Sequence, residues 1–327
     1  MIIAGIDEAG YGPLLGPLVV GCAAFEVPDS AIDFTDFNEL PCLWSLLGKL
    51  VARTRSRNGK KIHVNDSKAV YSSSAGILEL EKSVLTFIAT MNSMPADLDA
   101  LLQLVAADVL ADLDDSRWYQ PAAAEKFPVS LAALSVKMFA NALNQELKRT
   151  QVRCAHLSAR VLLEKPLNRL LDQTHNKSSV LFSTVAIHLD YLLKHFSQKG
   201  LWIFCDRQGG RAHYGPSLRL MFEDWSLGIL QEIEGQSDYE LSRGSRTVRI
   251  TFREKAEAKC LPVALASMIC KYLREVLMGR FNHWWLSQIP GLKPTAGYYT
   301  DGVRFLADTA AKRKELGISD GQLIRSR

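Results

Sequence analysis

The chain alternates short apolar runs with longer segments in which apolar residues recur every three or four positions. Short runs are typical of buried strands, and the longer periodicity is typical of amphipathic helices. A glycine-containing turn between the first two runs predicts a hairpin and therefore a mixed sheet. Together these patterns predict an α/β fold with helices on the faces of the sheet. The predicted strands are residues 1–4, 18–27, 152–157, 201–205 and 247–252.

Helical periodicity is concentrated in the middle and toward the end of the chain. Residues 75–150 are almost wholly helical in pattern and carry no clustered chemistry, so we interpret them as a helical insertion. The remaining organisation is a core of residues 1–74 and 151–280, followed by a C-terminal helical segment of residues 281–327. The predicted helices are residues 78–91, 96–113, 129–147, 180–196, 262–277 and 301–313.

Acidic residues stand where the first predicted strand ends. Asp7 and Glu8 follow an apolar run and precede a turn with Gly10 and Gly12. Buried carboxylates are costly unless something neutralises them, and hard divalent cations take oxygen ligands. Neighbouring residues of a regular strand point to opposite faces, so both acids serve one site only if the strand ends there. This pattern predicts a metal-dependent site for phosphodiester chemistry.

Two further acids extend this pattern. Asp206 ends the core run 201–205 and is followed by glycines, and Glu257 precedes the helix at 262–277. Each acid alone has an ordinary explanation, a strand-end turn for Asp206 and a favourable helix-terminus charge for Glu257. Four converging carboxylates would repel one another without cations, whereas two divalent ions about 3.5–4 Å apart would turn them into a phosphodiester-cleaving centre.

Basic residues cluster in two places. One run lies at the end of the connector 29–60 and directly precedes Asn65-Asp66-Ser67-Lys68, and it is either a solvated loop or a rim that contacts phosphates. The other crosses a predicted hairpin and is either a duplex contact or the charged protection of an edge strand. The first run is Arg53, Arg55, Arg57, Lys60 and Lys61, and the second is Arg243, Arg246, Arg249 and Arg253.

Composition narrows the class of protein. The 327 residues are 47% apolar and 23% charged, with a net charge of +4, which suits a globular protein and is compatible with nucleic acid. The six cysteines show neither CxxC pairs nor zinc spacing, so buried thiols in a reducing compartment are expected. No signal peptide or membrane span is predicted, and the expected location is cytoplasmic.

Five motifs, in order, resemble the type 2 ribonucleases H (ribonuclease HII). Residues 5–20, which contain Gly5-Ile6-Asp7-Glu8-Ala9-Gly10-Tyr11-Gly12-Pro13, resemble the opening signature of that family. Asp66-Ser67-Lys68 matches its second motif, and Ile203-Phe204-Cys205-Asp206 matches the strand that ends in its third acid. Lys255-Ala256-Glu257 with the Ala-rich helix behind it matches the fourth acid, and Gly297-Tyr298-Tyr299-Thr300 resembles a late Gly-Tyr-x-Thr motif.

The resemblance implies a function as well as a fold. It implies an RNase H-like mixed sheet flanked by helices, and two Mg²⁺ or Mn²⁺ ions held by four acids. It implies hydrolysis of RNA in RNA/DNA hybrids, or at ribonucleotides embedded in duplex DNA, leaving 3′-hydroxyl and 5′-phosphate ends. The chain would act as a monomer in DNA replication and repair, without an obligate protein partner.

Residue roles are implied in the same way. The acids would be Asp7, Glu8, Asp206 and Glu257. The backbone of Gly10-Tyr11-Gly12 would sense the 2′-hydroxyl that distinguishes RNA from DNA. Tyr298, in the substrate-binding segment 281–327, would stack on the sugar at the RNA–DNA junction, and Ser67 and Lys68 would contact substrate. An equally good interpretation of Lys68 is that it forms an ion pair with one of the acids. Ser267 and Lys271 could face the nucleic acid.

Two departures from the family pattern leave alternatives open. Tyr11 replaces the arginine usual in a Gly-Arg-Gly motif, so a preference for long hybrids or for single embedded ribonucleotides stays open. Glu257 replaces the usual aspartate and adds a methylene. The alternative functions are a catalytically weakened paralog that binds hybrids or junctions, and a related two-metal nuclease that cuts structured DNA.

Overall fold

A computed structural model describes residues 1–31, 41–72, 76–91, 93–121 and 125–326. Parts of the predicted connector (residues 32–40) and of the predicted insertion (75, 92 and 122–124) lie outside the described residues. The strands are β1 Ile2–Ala9, β2 Leu18–Glu26, β3 Val51–Ala52, β4 Ile62–His63, β5 Arg153–Leu162, β6 Leu201–Asp206, β7 Ser226–Ile233, β8 Gln236–Arg243 and β9 Arg246–Arg253. The helices are α1 Leu43–Leu46, α2 Ser67–Val70, α3 Leu78–Met91, α4 Leu98–Val105, α5 Leu110–Asp114, α6 Ala133–Thr150, α7 Glu164–Thr174, α8 Lys177–Phe196, α9 Gly215–Met221, α10 Leu261–Gln288, α11 Tyr299–Asp308, α12 Ala310–Leu316 and α13 Asp320–Leu323.

A seven-stranded mixed sheet forms the centre, in the order β5-β2-β1-β6-β9-β8-β7. β5, β2 and β1 are antiparallel, β1, β6 and β9 are parallel, and β9, β8 and β7 are antiparallel. Helices pack on both faces, so the predicted mixed α/β sheet flanked by helices is confirmed. The parallel pairing places the carboxyl ends of β1 and β6 side by side, which is where the predicted acids lie.

Helix α10 lies against the centre of the sheet in close backbone contact. A Cβ atom at Gly5 would stand 2.1 Å from the backbone nitrogen of Val263. At Gly21 a Cβ atom would stand 2.7 Å from Cys270 Sγ. Only glycine allows this approach, because real Cβ contacts are longer. The two glycines therefore fix the distance between α10 and the strands that carry the first motif.

The first strand is longer than the sequence predicts. β1 runs to Ala9, with Asp7 paired to Gly21 and Glu8 paired to Val20 on β2. The prediction that the strand ends at residue 4, before the acids, was wrong. An apolar run marks where side chains are buried, but backbone hydrogen bonds to β2 continue the strand after the run stops. The parallel pairing with β6 does end earlier, at Ile6 and Cys205.

Helices also depart from their predicted bounds. α10 spans 28 residues and continues to Gln288, so the predicted boundary at 280/281 falls inside it. The predicted helix 96–113 is broken after Val105 by a short 3₁₀ turn, Ala107–Val109. The predicted hairpin that contains Arg243 and Arg246 is formed by β8 and β9. β7 was not predicted, because it is mostly exposed and its apolar residues do not alternate.

The helical block 75–150 is joined to the same core as the sheet. Glu81 on α3 is fully buried and accepts hydrogen bonds from the backbone of Val129, Ser130 and Leu131 and from the hydroxyl of Tyr272 on α10. This carboxylate connects α3 and the segment before α6 to α10. The division of the chain into core, insertion and C-terminal segment remains a proposal.

Two further predictions concern the burial of the cysteines and the presence of membrane-spanning helices. Cys22, Cys154, Cys205, Cys260 and Cys270 are buried free thiols, as predicted. Cys42 is exposed, so the prediction of burial was wrong for this residue, which precedes the short helix α1 at the surface. Among the helices of the described ranges, none is long and apolar enough to cross a bilayer.

We expect two buried histidines to contribute less to stability in mild acid than at neutral pH. Burial lowers the pKa values of His188 and His156 to about 4, below the ordinary 6.5. The unfolded chain therefore takes up protons before the folded one does, and stability present above pH 6.5 is lost as the pH falls towards 4. For His188 alone the loss at pH 5 should be about 2 kcal/mol.

Chemical denaturation of the wild type and His188→Gln at pH 7.5 and pH 5 measures this effect. The unfolding free energy at pH 5 minus that at pH 7.5 should be more positive in the variant than in the wild type. Equal differences in both proteins would contradict the assignment.

Candidate functional site

Asp7 and Asp206 stand next to each other at the ends of parallel strands. The last paired residues of β1 and β6 are Ile6 and Cys205, so the two aspartates follow at the same level. The backbone N–H of Ala256 donates to Asp206 Oδ1 at 3.1 Å. This position is set by backbone pairing on both sides and brings the first and third motifs together.

Glu8 approaches Asp206 from the other face of the sheet. Asp7 is 8% exposed and is hydrogen-bonded by Ser267 on the α10 side, while Glu8 follows the strand alternation to the opposite side. The charge of Asp206 nevertheless acts on both residues. The strand continues through Glu8 to Ala9, so the turn that was expected to re-aim this side chain does not begin there.

Glu257 completes what we call the carboxylate cluster: Asp7, Glu8, Asp206 and Glu257. It lies on a 3₁₀ turn, Ala256–Ala258, directly after β9, and its side chain is hydrogen-bonded to Asp206. Its Oε2 atom is buried and lacks a hydrogen-bond partner within the described part of the chain. A buried unpaired carboxylate oxygen is unusual in a native protein and marks a position that a ligand can satisfy.

The cluster is electrostatically unfavourable as it stands. Burial raises the pKa of Asp7 well above its usual range, and the charges of Glu8 and Asp206 raise it further. Burial likewise raises the pKa of Glu8 to about 8 and that of Glu257 to about 7. Burial also raises the pKa of Asp206. Such mutual perturbation of buried acids is the arrangement found at functional sites and at cation sites.

The second motif lies beside this cluster. The Oγ atoms of Ser67 and Ser267 are 3.0 Å apart, and Ser267 in turn is hydrogen-bonded to Asp7. The positive charge of Lys68 lowers the pKa values of Glu8 and Asp206. These contacts favour the interpretation of Lys68 as an electrostatic partner of the acids.

Sequence reasoning missed two contributions here. Ser267 is 3% exposed, so it serves Asp7 and does not face a nucleic acid as considered from the sequence. Asp66 caps α2 through the backbone N–H of Lys68, and its charge raises the pKa of Glu257. Lys271 pairs with Glu275 at 2.5 Å on its own helix. The sequence feature that could have identified the role of Ser267 is its position as a polar residue on an otherwise apolar helix face.

The first and fifth motifs meet at the loop of residues 10–17, here called the glycine loop. The carbonyl of Gly297 accepts hydrogen bonds from the backbone N–H groups of Leu14 and Leu15, at 2.7 and 3.1 Å. Gly297 has φ of +81°, and a Cβ atom there would stand 2.4 Å from the Leu15 carbonyl oxygen. Tyr298 follows directly and is 53% exposed, so its ring is available beside the loop.

The glycines of this loop have different structural roles. Gly10 has φ of +84° and lies against the Pro17 carbonyl oxygen, so it is needed for the backbone conformation. Around Gly12 a Cβ atom would meet no atom of the described structure within 4 Å. Gly12 is exposed, and its open surroundings leave room for a ligand to approach the backbone. The ring of Tyr11 lies 4.9 Å from Lys177 Nζ.

Buried arginines hold the glycine loop from beneath. Arg274 on α10 donates to the carbonyls of Pro17, Leu15 and Ala296 at 2.5, 3.0 and 3.0 Å. Arg325 donates to the carbonyls of Gly10 and Tyr11. Neither arginine was predicted, because one lies in an apolar helix and the other is near the end of the sequence. Each side chain is 1% or 2% exposed.

An acid completes this support. Glu164 at the start of α7 accepts from Gly16 N–H at 2.8 Å and from the Tyr119 hydroxyl at 2.9 Å. Tyr119 belongs to the helical block 75–150, so that block reaches the glycine loop through one shared carboxylate. The loop conformation therefore depends on residues from four distant parts of the chain.

The side chains of the carboxylate cluster have the ligand chemistry that suits a hard divalent cation. They supply carboxylate oxygens, one of which is buried and unpaired, in a setting where positive charge would relieve repulsion. Over the described ranges, no three His, Cys, Asp or Glu side chains are already arranged around a metal position.

We expect Arg325→Met to destabilise the protein and loosen the glycine loop. The substitution keeps an apolar stem but removes charged donors from two buried carbonyls, with an expected loss of about 3 kcal/mol. Hydrogen exchange at the Leu14 and Leu15 amides should become faster than in the wild type. The exposed Arg219→Met serves as control, and equal stability of the two variants would contradict the role of Arg325.

No protein-family model and no curated protein matches the sequence. Among solved structures, the chain is similar to ribonuclease HII of Archaeoglobus fulgidus in its PCNA complex (14% identity, TM-score 0.44, covering 100% of this chain and 95% of that chain). It is similar to ribonuclease H2 of Pyrococcus horikoshii (16%, 0.46, 99% and 92%). It is also similar to Bst ribonuclease HIII in complex with Mn²⁺ (14%, 0.41, 99% and 66%).

Proposed function

We propose that the protein is a metal-dependent endonuclease that hydrolyses RNA in RNA/DNA hybrids or at ribonucleotides embedded in duplex DNA. The products would carry 3′-hydroxyl and 5′-phosphate ends. The observation that carries this proposal is electrostatic: the charge of Asp206 raises the pKa values of Asp7, Glu8 and Glu257. The family resemblance of the motifs supplies the reaction class.

The four acids have different tasks in this proposal. Asp7 and Asp206 would hold the metal ions between adjacent strands, while Glu8 and Glu257 would complete the ligand sets and position the attacking water. Two bound Mg²⁺ or Mn²⁺ ions would supply an activated water and stabilise the leaving oxygen. Ser267 would orient the Asp7 carboxylate, and Ser67 would orient Ser267 through their 3.0 Å contact.

Substrate recognition would come from the surface next to the cluster. The exposed backbone at Gly10-Tyr11-Gly12 would read the 2′-hydroxyl, and the open space at Gly12 supports this. Tyr298 would stack on the sugar, and its exposed ring supports that role. Ser67 and Lys68 would contact the phosphate that approaches the acids.

A cleavage assay with three labelled duplexes tests the proposal. An RNA/DNA hybrid, a DNA duplex with one ribonucleotide and an all-DNA duplex are incubated with the protein and Mg²⁺ or Mn²⁺. We expect cutting of at least one ribonucleotide-containing duplex and none of the all-DNA duplex. Cutting of all three would favour a nuclease on structured DNA, and cutting of none would refute the proposed activity.

We expect Asp206→Asn to lower cleavage by about two to three orders of magnitude, the scale for losing one electrostatic stabiliser of the transition state. The fold should persist, because the amide keeps the acceptor for Ala256 N–H. The control is Asp224→Asn, whose side chain is 77% exposed. Similar initial rates for both variants would contradict the role of Asp206.

One observation favours a second candidate, a weakened paralog that binds hybrids or junctions without efficient cleavage. The longer side chain of Glu257 reaches Asp206 and forms a hydrogen bond with it. In that case Glu257→Asp should shorten the reach, free Asp206 and raise cleavage from a very low level. Lower cleavage by Glu257→Asp than by the wild type would instead favour an efficient enzyme adapted to glutamate.

A further inference from the structure

We propose that residues 53–61, here called the basic arm, hold the phosphate backbone of a nucleic-acid duplex beside the carboxylate cluster. This inference rests on the proposed function and deepens it, because it assigns a duplex-binding surface to that site. The basic run left two interpretations open in the sequence, a solvated loop or a phosphate-contacting rim. The contacts of the arm favour the rim.

The base of the arm borders the acids. The arm begins after Ala52 on β3 and ends before Ile62 on β4, two short strands that pair with each other apart from the central sheet, and β4 then leads into Asn65 and the second motif. Arg53 Nη1 donates to the carbonyl of Ala258 at 2.9 Å. Ala258 directly follows Glu257, so the arm begins one residue from the cluster.

Arg53 is held in one place by its surroundings. Its guanidinium carbon lies 4.0 Å from the centre of the Trp44 ring, a cation–π contact. Its carbonyl oxygen lies 3.0 Å from both His63 Nε2 and Asn65 Nδ2. A guanidinium positioned in this way can bind phosphate with little further loss of side-chain freedom.

The tip of the arm is a turn that is held by specific hydrogen bonds. The backbone N–H groups of Gly59 and Lys61 donate to Ser56, at 3.0 Å to its carbonyl and 3.1 Å to its hydroxyl. Lys82 on α3 is 4% exposed, and its ammonium group donates to the carbonyls of Gly59 and Lys61 at 2.7 and 2.8 Å. Because this buried lysine donates its hydrogen bonds to two backbone carbonyls of the tip, it fixes the direction of the tip. A freely solvated loop would not need such a contact.

Positive charge remains available along the outer part of the arm. Arg55 pairs with Glu79 at 3.1 Å, and Lys61 Nζ donates to the carbonyl of Gly48 at 2.5 Å. Arg57 and Lys60 are exposed, and in the portion that the structure describes their side chains form no ion pair. These two cations are therefore the ones that can meet phosphates.

The arm has a suitable reach. Three residues separate Arg53 from Arg57, so the chain between them spans at most ~14 Å. Phosphates of one strand repeat every ~3.4 Å of helix axis, so the arm can follow several of them. The electrostatic reason is equally direct: the acids repel a phosphodiester, and cations next to them offset this repulsion at the point where the strand must come close.

Salt-dependent binding tests the inference. Fluorescence anisotropy measures the affinity for a labelled RNA/DNA hybrid in EDTA, between 50 and 200 mM KCl, for the wild type and Arg57→Gln/Lys60→Gln. Loss of two phosphate contacts should reduce the salt slope by about 1.8. Over this fourfold rise in salt the wild type should lose about 12-fold more affinity than the variant.

The matched control removes two positive charges before the start of β6, at the end of that strand opposite to Asp206. Lys194 is in the last turn of α8 and pairs with Asp190 at 2.7 Å, and Lys199 pairs with Glu26 at 3.0 Å. The double variant Lys194→Gln/Lys199→Gln should keep the wild-type slope. An all-DNA duplex should show the same loss of slope in the arm variant, because phosphates are common to both duplexes.

Each outcome decides the inference. A smaller slope in the arm variant alone supports it, whether or not the protein cleaves, so a failed cleavage assay is distinguishable from a failed arm. Equal slopes in the arm and control variants would overturn it, as would the absence of measurable duplex binding by the wild type. Circular dichroism and the melting temperature of each variant verify that the fold is retained.

Discussion

Burial of like charges at the ends of β1 and β6 is the constraint on which the rest of this structure depends. The sheet pairing places Asp7 and Asp206 side by side, burial raises the pKa values of both, and the charges of Glu8 and Asp206 raise that of Asp7 further. Such a cluster costs folding free energy in the absence of a cation. The surrounding fold must therefore be stable enough to hold the acids in place.

The elements around the cluster supply that stability. α10 contacts β1 and β2 so closely that Gly5 and Gly21 are required, and it carries both Ser267 and Arg274. Arg274 fixes the glycine loop on one side of the acids, while Ser267 holds Asp7 on the other. One long helix thus connects the predicted catalytic groups to the predicted substrate-binding backbone.

Much of this arrangement could be predicted from the sequence, and the reasons differ between elements. The apolar run before Asp206 predicts a core strand correctly, because burial and strand length coincide there. β1 extends past its apolar run because pairing with β2 is a backbone property that side-chain pattern does not report. Ser67 and Lys68 are found beside the acids.

The buried supports of the site could not be predicted. Arg325 is separated by more than 300 residues from the carbonyls it binds, and Glu164 lies in an otherwise ordinary amphipathic helix. Their roles depend on the tertiary proximity of chain segments, which a single sequence does not contain. The roles of individual site residues in catalysis and binding stay predictions until they are measured.

The most direct test of the central claim is thermal unfolding with and without Mn²⁺. For the wild type, Mn²⁺ at 100 times its Kd should stabilise the fold by about 2.7 kcal/mol and raise the melting temperature. Asp7→Asn should melt above the wild type without metal, because it removes a buried like charge, and it should gain little from Mn²⁺. No effect of Mn²⁺ on the wild type, or a metal-free Asp7→Asn that melts below it, would contradict the account.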